Sequence, residues 1–231
     1  MVRVLYGDGS GQCPVSRDER MNIIMLQTLT ERLFDDGDRT ALDPFAVFEE
    51  WYALAQEAEP NDPHAFALAT VDDEGLPDVR MVLLNARDAR GFCFFTNFES
   101  AKGGQLHAHP KAAMLMHWKS LRRQVRVRGN VEVVTPEEAD AYFASRNKGS
   151  RIASSVSDQS QVLDSRATLI ERVAALTEQV GDGPVTRPPH WSGFRIVPTS
   201  MEFWKDGEFR LHDRVKFVWN GDGWVSDRLY P

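Results

Sequence analysis

Between residues 64 and 134 the chain abandons helical spacing and runs through five strand-like segments: 64–71, 79–84, 91–97, 112–118 and 124–134. Each alternates in polarity or is rich in β-branched and aromatic residues, the pattern of a half-buried strand. Asp72-Asp73-Glu74-Gly75 supplies a turn between the first two. The one helical insertion, residues 100–109, stops before Pro110. Strands joined by such local connections pair antiparallel. That excludes the strand–helix alternation of a doubly wound fold, and the chain carries no G-x-G-x-x-G. The expected class is mostly β with flanking helices, α+β, the strands closing as a β-barrel.

Helix signals flank this run. Asp43 caps and Pro44 opens a helix whose Phe45, Phe48, Trp51, Tyr52 and Ala55 supply core packing. Thr135-Pro136-Glu137-Glu138 is a capping box that starts a helix reaching about Ser145. A polar, serine-rich loop follows, then a helix over 165–180, then strands at 192–197, 200–204, 209–219 and 224–228. Residues 1–20 read as a loose arm. Residues 21–34 suit a helix that Asp35-Asp36-Gly37-Asp38 ends. The expected division is an N-terminal arm, 1–42, and one domain, 43–231.

Charge and composition narrow the function. A net charge of −7 disfavours general nucleic-acid affinity, which needs a basic surface. Cys13 and Cys93 are the two cysteines; they form no metal-ligand spacing, and Cys93, inside Phe92-Cys93-Phe94-Phe95, reads as a buried free thiol. No metal site is expected. No apolar run reaches the roughly 18 residues of a membrane span, and no signal-peptide pattern opens the chain, so a soluble, cytoplasmic protein is expected.

The cationic residues point to anions. Asp206-Gly207 reads as a turn between two strands, after which period-2 alternation places Arg210, His212 and Arg214 on one face and Leu211 on the other. Three basic groups on one face repel, which an anionic ligand relieves; the same pattern also suits a solvated strand face. Arg80 heads a strand, Lys102 opens a short helix, and Gln124 and Arg126 share a strand face, each equally readable as surface charge.

The motifs together resemble the pyridoxine/pyridoxamine 5'-phosphate oxidase family. They are RMVLL (80–84), FFTN (94–97), SAKG (100–103), HWKSLRRQVRVRG (117–129), YFASR (142–146), SDQS (157–160), PPHWSGFRI (188–196), EFW (202–204), RLHDR (210–214) and the terminal RLYP. The resemblance covers roughly residues 43–231. It implies an FMN-binding split β-barrel with its site at a homodimer interface. It assigns FMN contacts to Arg80, Met81, Val82, Leu83, Leu84, Phe95, Thr96, Lys102, Gln124, Gln159, Ser160, Trp204 and Arg214. It assigns the substrate phosphate to Tyr142, Arg146 and Ser150, and the pyridine ring to Arg210 and His212, which stand as the catalytic pair. The implied reaction moves a hydride from C4' of pyridoxine or pyridoxamine 5'-phosphate to the flavin, giving pyridoxal 5'-phosphate, with dioxygen reduced to hydrogen peroxide.

Some positions depart from the family pattern. Asn85 stands where the family has a lysine on the substrate phosphate, and Phe95 where it has tyrosine. Residues 27–30 lack the arginine and tyrosine that close over substrate, and residues 151–157 lack a Gly-Ala-Trp. These departures leave two alternatives: a related FMN oxidase for another cyclic substrate, of the phenazine-pathway type, and a non-catalytic FMN or pyridoxal-phosphate binding protein.

Overall fold

The computed structural model describes residues 28–37 and 39–231. The arm 1–20 and the first part of the 21–34 helix expectation lie outside them. What is described of that helix is α1, Leu29–Phe34, closed at its start by a Thr28–Glu31 capping box.

Among the described residues nine strands form one antiparallel sheet. They are β1 Ala65–Val71, β2 Pro77–Leu83, β3 Ala86–Asp88, β4 Gly91–Asn97, β5 Lys111–Trp118, β6 Arg123–Val133, β7 Trp191–Lys205, β8 Asp213–Trp219 and β9 Trp224–Arg228. The order is β2-β1-β5-β6-β7-β4-β3, with β8 on β7 and β9 on β8. The sheet curls into the half-barrel of a split-barrel fold, as the strand run predicts.

Alternation sorts its two faces. The inner face carries Phe66 and Leu68, Phe92 and Phe94, Met114, Met116 and Trp118, Val125 and Val127, Met201 and Phe203, all buried. Against it lies α2, Pro44–Ala58, with Asp43 accepting from Phe45 N–H as its cap. Phe48 meets Phe92 edge-on at 4.8 Å between ring centroids, and Trp51 meets Phe203 at 5.3 Å. Burying each such ring stabilises by about 1.5–3 kcal/mol, so α2 is fixed by packing more than by propensity.

The outer face is different. Cross-strand partners run Met81–Ala67–Leu115–Arg126–Glu202–Lys216 across β2, β1, β5, β6, β7 and β8. At the β2 end of this row Val79, Met81, Leu83 and Leu115 are exposed large apolar residues. β2 is also a sheet edge, so its outward backbone groups have no strand partner among the described residues.

Several expectations change. The segments 192–197 and 200–204 are one strand, β7, whose pairing with β6 shifts register between Arg128 and Gly129. Gly129 is required there: a Cβ would sit 2.0 Å from the Val197 carbonyl oxygen. β3, absent from the sequence reading, is too short to show a period. The serine-rich stretch is a helix, α5, Lys148–Val156, capped by Asn147. Its serines turn their hydroxyls back onto carbonyls four residues earlier, Ser154 to Ser150 and Ser155 to Arg151, which is how serine is accommodated inside a helix. The remaining helices, α3 Ala101–Ala108, α4 Pro136–Ser145 and α6 Arg166–Val180, follow their caps as expected. Cys93 is a buried free thiol.

Candidate active site

A cleft of about 370 Å³ opens where the edge strand β2, the end of β4, α3 and the α4–α5 corner meet. Arg80, Met81, Val82, Leu83 and Asn85 line one side. Phe95, Thr96 and Lys102 line the next. Tyr142, Arg146, Gln159 and Trp191 complete it.

The helix α3 presents Lys102 from its first turn, where Ser100 caps and accepts from Gly103 N–H. Among the described residues the Lys102 ammonium is bonded to neutral oxygens only: Gln159 Oε1 at 2.7 Å, Thr96 Oγ1 at 3.2 Å and Ser100 Oγ at 3.3 Å. Burial, and then the Arg80 guanidinium nearby, push its pKa below the ordinary lysine value. Arg80 is mid-strand rather than at the strand's head; it pairs with Asp78 and donates to Thr70 Oγ1 at 2.5 Å and Gln105 Oε1 at 3.0 Å. Two cations therefore share a pocket with too little counter-charge. A phosphate dianion is the group that relieves this.

A second donor group stands on the α4 side. Tyr142 is in α4, and Arg146 is its C-cap, extended rather than helical. The two residues therefore do not share one helix turn, yet both side chains reach the same cleft. Arg146 lies over the Trp191 ring at 5.0 Å and donates to Ser154 Oγ at 2.8 Å. Tyr142 stacks on Phe95 at 4.1 Å, and Phe95 on Trp191 at 5.5 Å, so three near-parallel rings build the wall. Burial raises the Tyr142 pKa, keeping its hydroxyl protonated.

Three expected residues, Leu84, Ser150 and Ser160, border this cleft without lining it. Leu84 is buried in the core. Ser160, with φ of 75°, follows Gln159 but is turned outward. Ser150 sits in the first turn of α5, not in a loop, and its N–H bonds Asn147.

The remaining expected residues are elsewhere. Gln124, Trp204 and Arg214 share a small depression on the outer face with Leu115, Arg126, Glu202 and Pro231. There Arg214 is held by Glu202, at 2.7 Å, and by the Tyr230 carbonyl, at 2.8 Å. Arg210 and His212 are not on a strand. β8 begins only at Asp213, and Glu208–Arg210 forms a tight 3-10 turn with Phe209 at φ 54° and Arg210 at φ 69°. The alternating-face expectation for Arg210, His212 and Arg214 is thus overturned. Gly207 permits the loop to close, since a Cβ would lie 2.0 Å from the Leu211 carbonyl. Its N–H points at His212 Nδ1, at 3.2 Å, and Asp206 lies at the same distance from that nitrogen. The other ring nitrogen, Nε2, makes no hydrogen bond among the described residues, and the ring packs against Trp204 at 4.7 Å.

The chain matches the profile of pyridoxamine 5'-phosphate oxidase over residues 54–179 and that of the pyridoxine 5'-phosphate oxidase C-terminal dimerisation region over 191–231. It belongs to the pyridoxine/pyridoxamine 5'-phosphate oxidase family.

Within that family it is 59% identical to the pyridoxine/pyridoxamine 5'-phosphate oxidase of Caulobacter vibrioides over 189 residues, 82% of this chain and 85% of that one. To the Chelativorans oxidase it is 57% identical over 209 residues, 90% of this chain and all of that one. Among solved structures, PhzG of Burkholderia lata in complex with tetrahydrophenazine-1-carboxylic acid superposes with a TM-score of 0.80 at 30% identity, covering 86% of this chain and 96% of that one. A pyridoxamine 5'-phosphate oxidase-related FMN-binding protein of Nostoc punctiforme shares the fold, with a TM-score of 0.68 at 17% identity.

The family cofactor, FMN, fits this cleft on the donor set alone. The under-neutralised Lys102 and Arg80 suit its phosphate, and the unpaired edge of β2 offers amide donors and acceptors to a flat ring. Four lining residues were not singled out from sequence: Asn97, Ser154, Ser157 and Trp191. Asn97 donates to the Ser157 carbonyl at 3.1 Å, tying the end of α5 to β4. Trp191 lay within a recognised motif, but only the stacked wall shows its use.

Proposed function

We propose that the protein oxidises pyridoxine 5'-phosphate and pyridoxamine 5'-phosphate to pyridoxal 5'-phosphate with FMN and dioxygen. The observation that carries this reading is the pair of separate donor groups in one cleft: Arg80 with Lys102, and Arg146 with Tyr142. Two anion positions match a reaction in which cofactor and substrate each bring a phosphate.

Bound FMN supplies the two-electron acceptor, and dioxygen carries the electrons on to hydrogen peroxide. The chain's own residues bind and orient. Lys102 and Arg80 neutralise the cofactor phosphate, with Thr96 and Gln159 holding the ammonium in place. Arg146 and Tyr142 take the substrate phosphate, fixing one end of a rigid ring so that its C4' carbon has one place to be. Arg210 and His212 cover the ring, their planar groups suited to stacking and hydrogen bonding. His212 orients through Nε2, since Nδ1 is occupied by the Asp206–Gly207 corner.

This assignment needs a second copy of the chain. Trp191 and Trp204 stand thirteen positions apart on one strand, on the order of 40 Å along it at about 3.3 Å per residue. The cleft and the depression that holds Trp204 and Arg214 share no lining residue. A two-fold partner laid on the apolar outer face brings its own Gln124, Trp204, Arg210, His212 and Arg214 to the cleft, so the protein works as a homodimer with two shared sites.

The test is direct. The purified protein, with FMN bound, is mixed with pyridoxine 5'-phosphate without oxygen. Bleaching of the flavin band, and pyridoxal 5'-phosphate after air is admitted, is the expected result. A flavin that stays oxidised with both B6 phosphates sinks the oxidase reading.

A further inference from the structure

Asn85 lies just past β2, at the corner where the chain turns into β3, and its side chain is fixed at both ends. Its Oδ1 accepts the Phe95 backbone N–H at 3.2 Å. Its Nδ2 donates to the Tyr142 hydroxyl oxygen at 2.6 Å. The amide orientation follows from chemistry. A backbone N–H can only donate, so the oxygen must face Phe95 and the NH2 must face Tyr142.

That orientation dictates where the tyrosine proton goes. With Nδ2 donating to its oxygen, the Tyr142 O–H cannot point at Asn85 and is left for another acceptor. The ring cannot swing away, because it is stacked on Phe95, the residue whose N–H Asn85 also holds. Tyr142 and Arg146 line the same cleft as Asn85.

We propose that Asn85 is a positioning residue that holds Tyr142 as a hydroxyl donor toward the substrate's phosphate, so that this phosphate is bound by one cation, Arg146, and an aimed neutral donor rather than by a second cation. The inference rests on the oxidase reading for the identity of the phosphate ester. A lysine at this position has three donors and no acceptor. It would leave the Phe95 N–H unpaired and the tyrosine unaimed, so added charge does not improve the site.

The test is a double-mutant cycle on the FMN-loaded protein with Asn85→Ala, Tyr142→Phe and the pair. It reads the KM and kcat for pyridoxine 5'-phosphate, and separately the dissociation constant of pyridoxal 5'-phosphate by equilibrium titration. Asn85→Ala is expected to raise KM and the dissociation constant about tenfold, with kcat within about twofold, the size of one lost charge-assisted hydrogen bond. In the Tyr142→Phe background the same change is expected to cost less than about twofold. Asn85→Lys is expected to weaken binding as well. Equal effects of Asn85→Ala in both backgrounds, or tighter binding by Asn85→Lys, overturn the assignment and leave the oxidase reading intact. Coupled pyridoxal-phosphate binding without turnover of either B6 phosphate overturns the oxidase reading and leaves Asn85 in its role. Failure to bind the phosphate ester at all overturns both.

Discussion

A half-buried lysine with only neutral oxygens in contact, as Lys102 is among the described residues, costs stability until an anion arrives. Replacing it with methionine keeps the stem and removes the charge. Lys102→Met is expected to weaken FMN binding by about 10- to 100-fold, measured by flavin fluorescence on the apoprotein. The sign of the pH effect follows. Burial and Arg80 lower the lysine's pKa, so it loses its proton at a lower pH than an ordinary lysine. FMN affinity should therefore begin to fall at that lower pH, and the Lys102→Met protein should lack the decline. At this scale the sequence was legible where a motif names a charge or a strong donor: Arg80, Lys102, Tyr142 and Arg146 all reach the cleft. It was not legible for Ser154 or Asn97. Their use depends on a helix and a loop that only tertiary contacts bring beside β4.

At the scale of elements, α4 is locked to the sheet through its capping glutamate. Glu138 accepts from Thr135 N–H, then binds Arg195 of β7 at 2.7 Å and Arg90 at 2.8 Å. The Thr135 N–H first, and the two guanidiniums after it, lower its pKa from 4.5 to about 2. A depressed carboxylate pKa stabilises the fold fully above the unfolded value and loses that contribution as pH falls toward the folded one. Glu138→Gln is expected to cost about 2 kcal/mol at neutral pH. In thermal melts, its gap from the parent protein should close as pH drops from 4.5 toward about 2. The loop between β7 and β8 makes a second case. A Gly207→Ala change forces the 207–211 turn open and frees His212. It is expected to lower kcat/KM by about tenfold or more while FMN affinity holds, since no FMN contact lies in that turn. The cap was readable from four residues, because a capping box is local. The loop was not. Strict alternation predicted a strand, and only the paired left-handed residues Phe209 and Arg210, invisible to any periodicity, show why the strand starts late.

At the scale of the whole molecule, the proposed site is a shared one, each chain carrying both halves and joining each to its partner's. Lys102→Met removes one half, and Arg214→Ala removes the other. Each homodimer is expected to be impaired in both of its sites. Mixed, unfolded and refolded together, the two proteins form heterodimers with one undamaged site, so activity should recover to about a quarter of the parent's. No recovery, with heterodimers present by sedimentation, would falsify the shared site. The sequence made the split barrel legible through its run of strands, and the family through its motifs. It left the division of the site unreadable from spacing alone, since period-2 patterns report faces of a strand and not which chain a face meets.

The exposed apolar outer face and the proposed division of the site between two chains have a thermodynamic corollary. If a ligand contacts two chains at once, ligand and partner are effectors of each other, and linkage requires that each strengthen the other's binding by the same factor. Added FMN should tighten self-association, and dilution should release flavin before it unfolds the chain. The yellow colour of the protein would then serve as a gauge of how much of it is assembled.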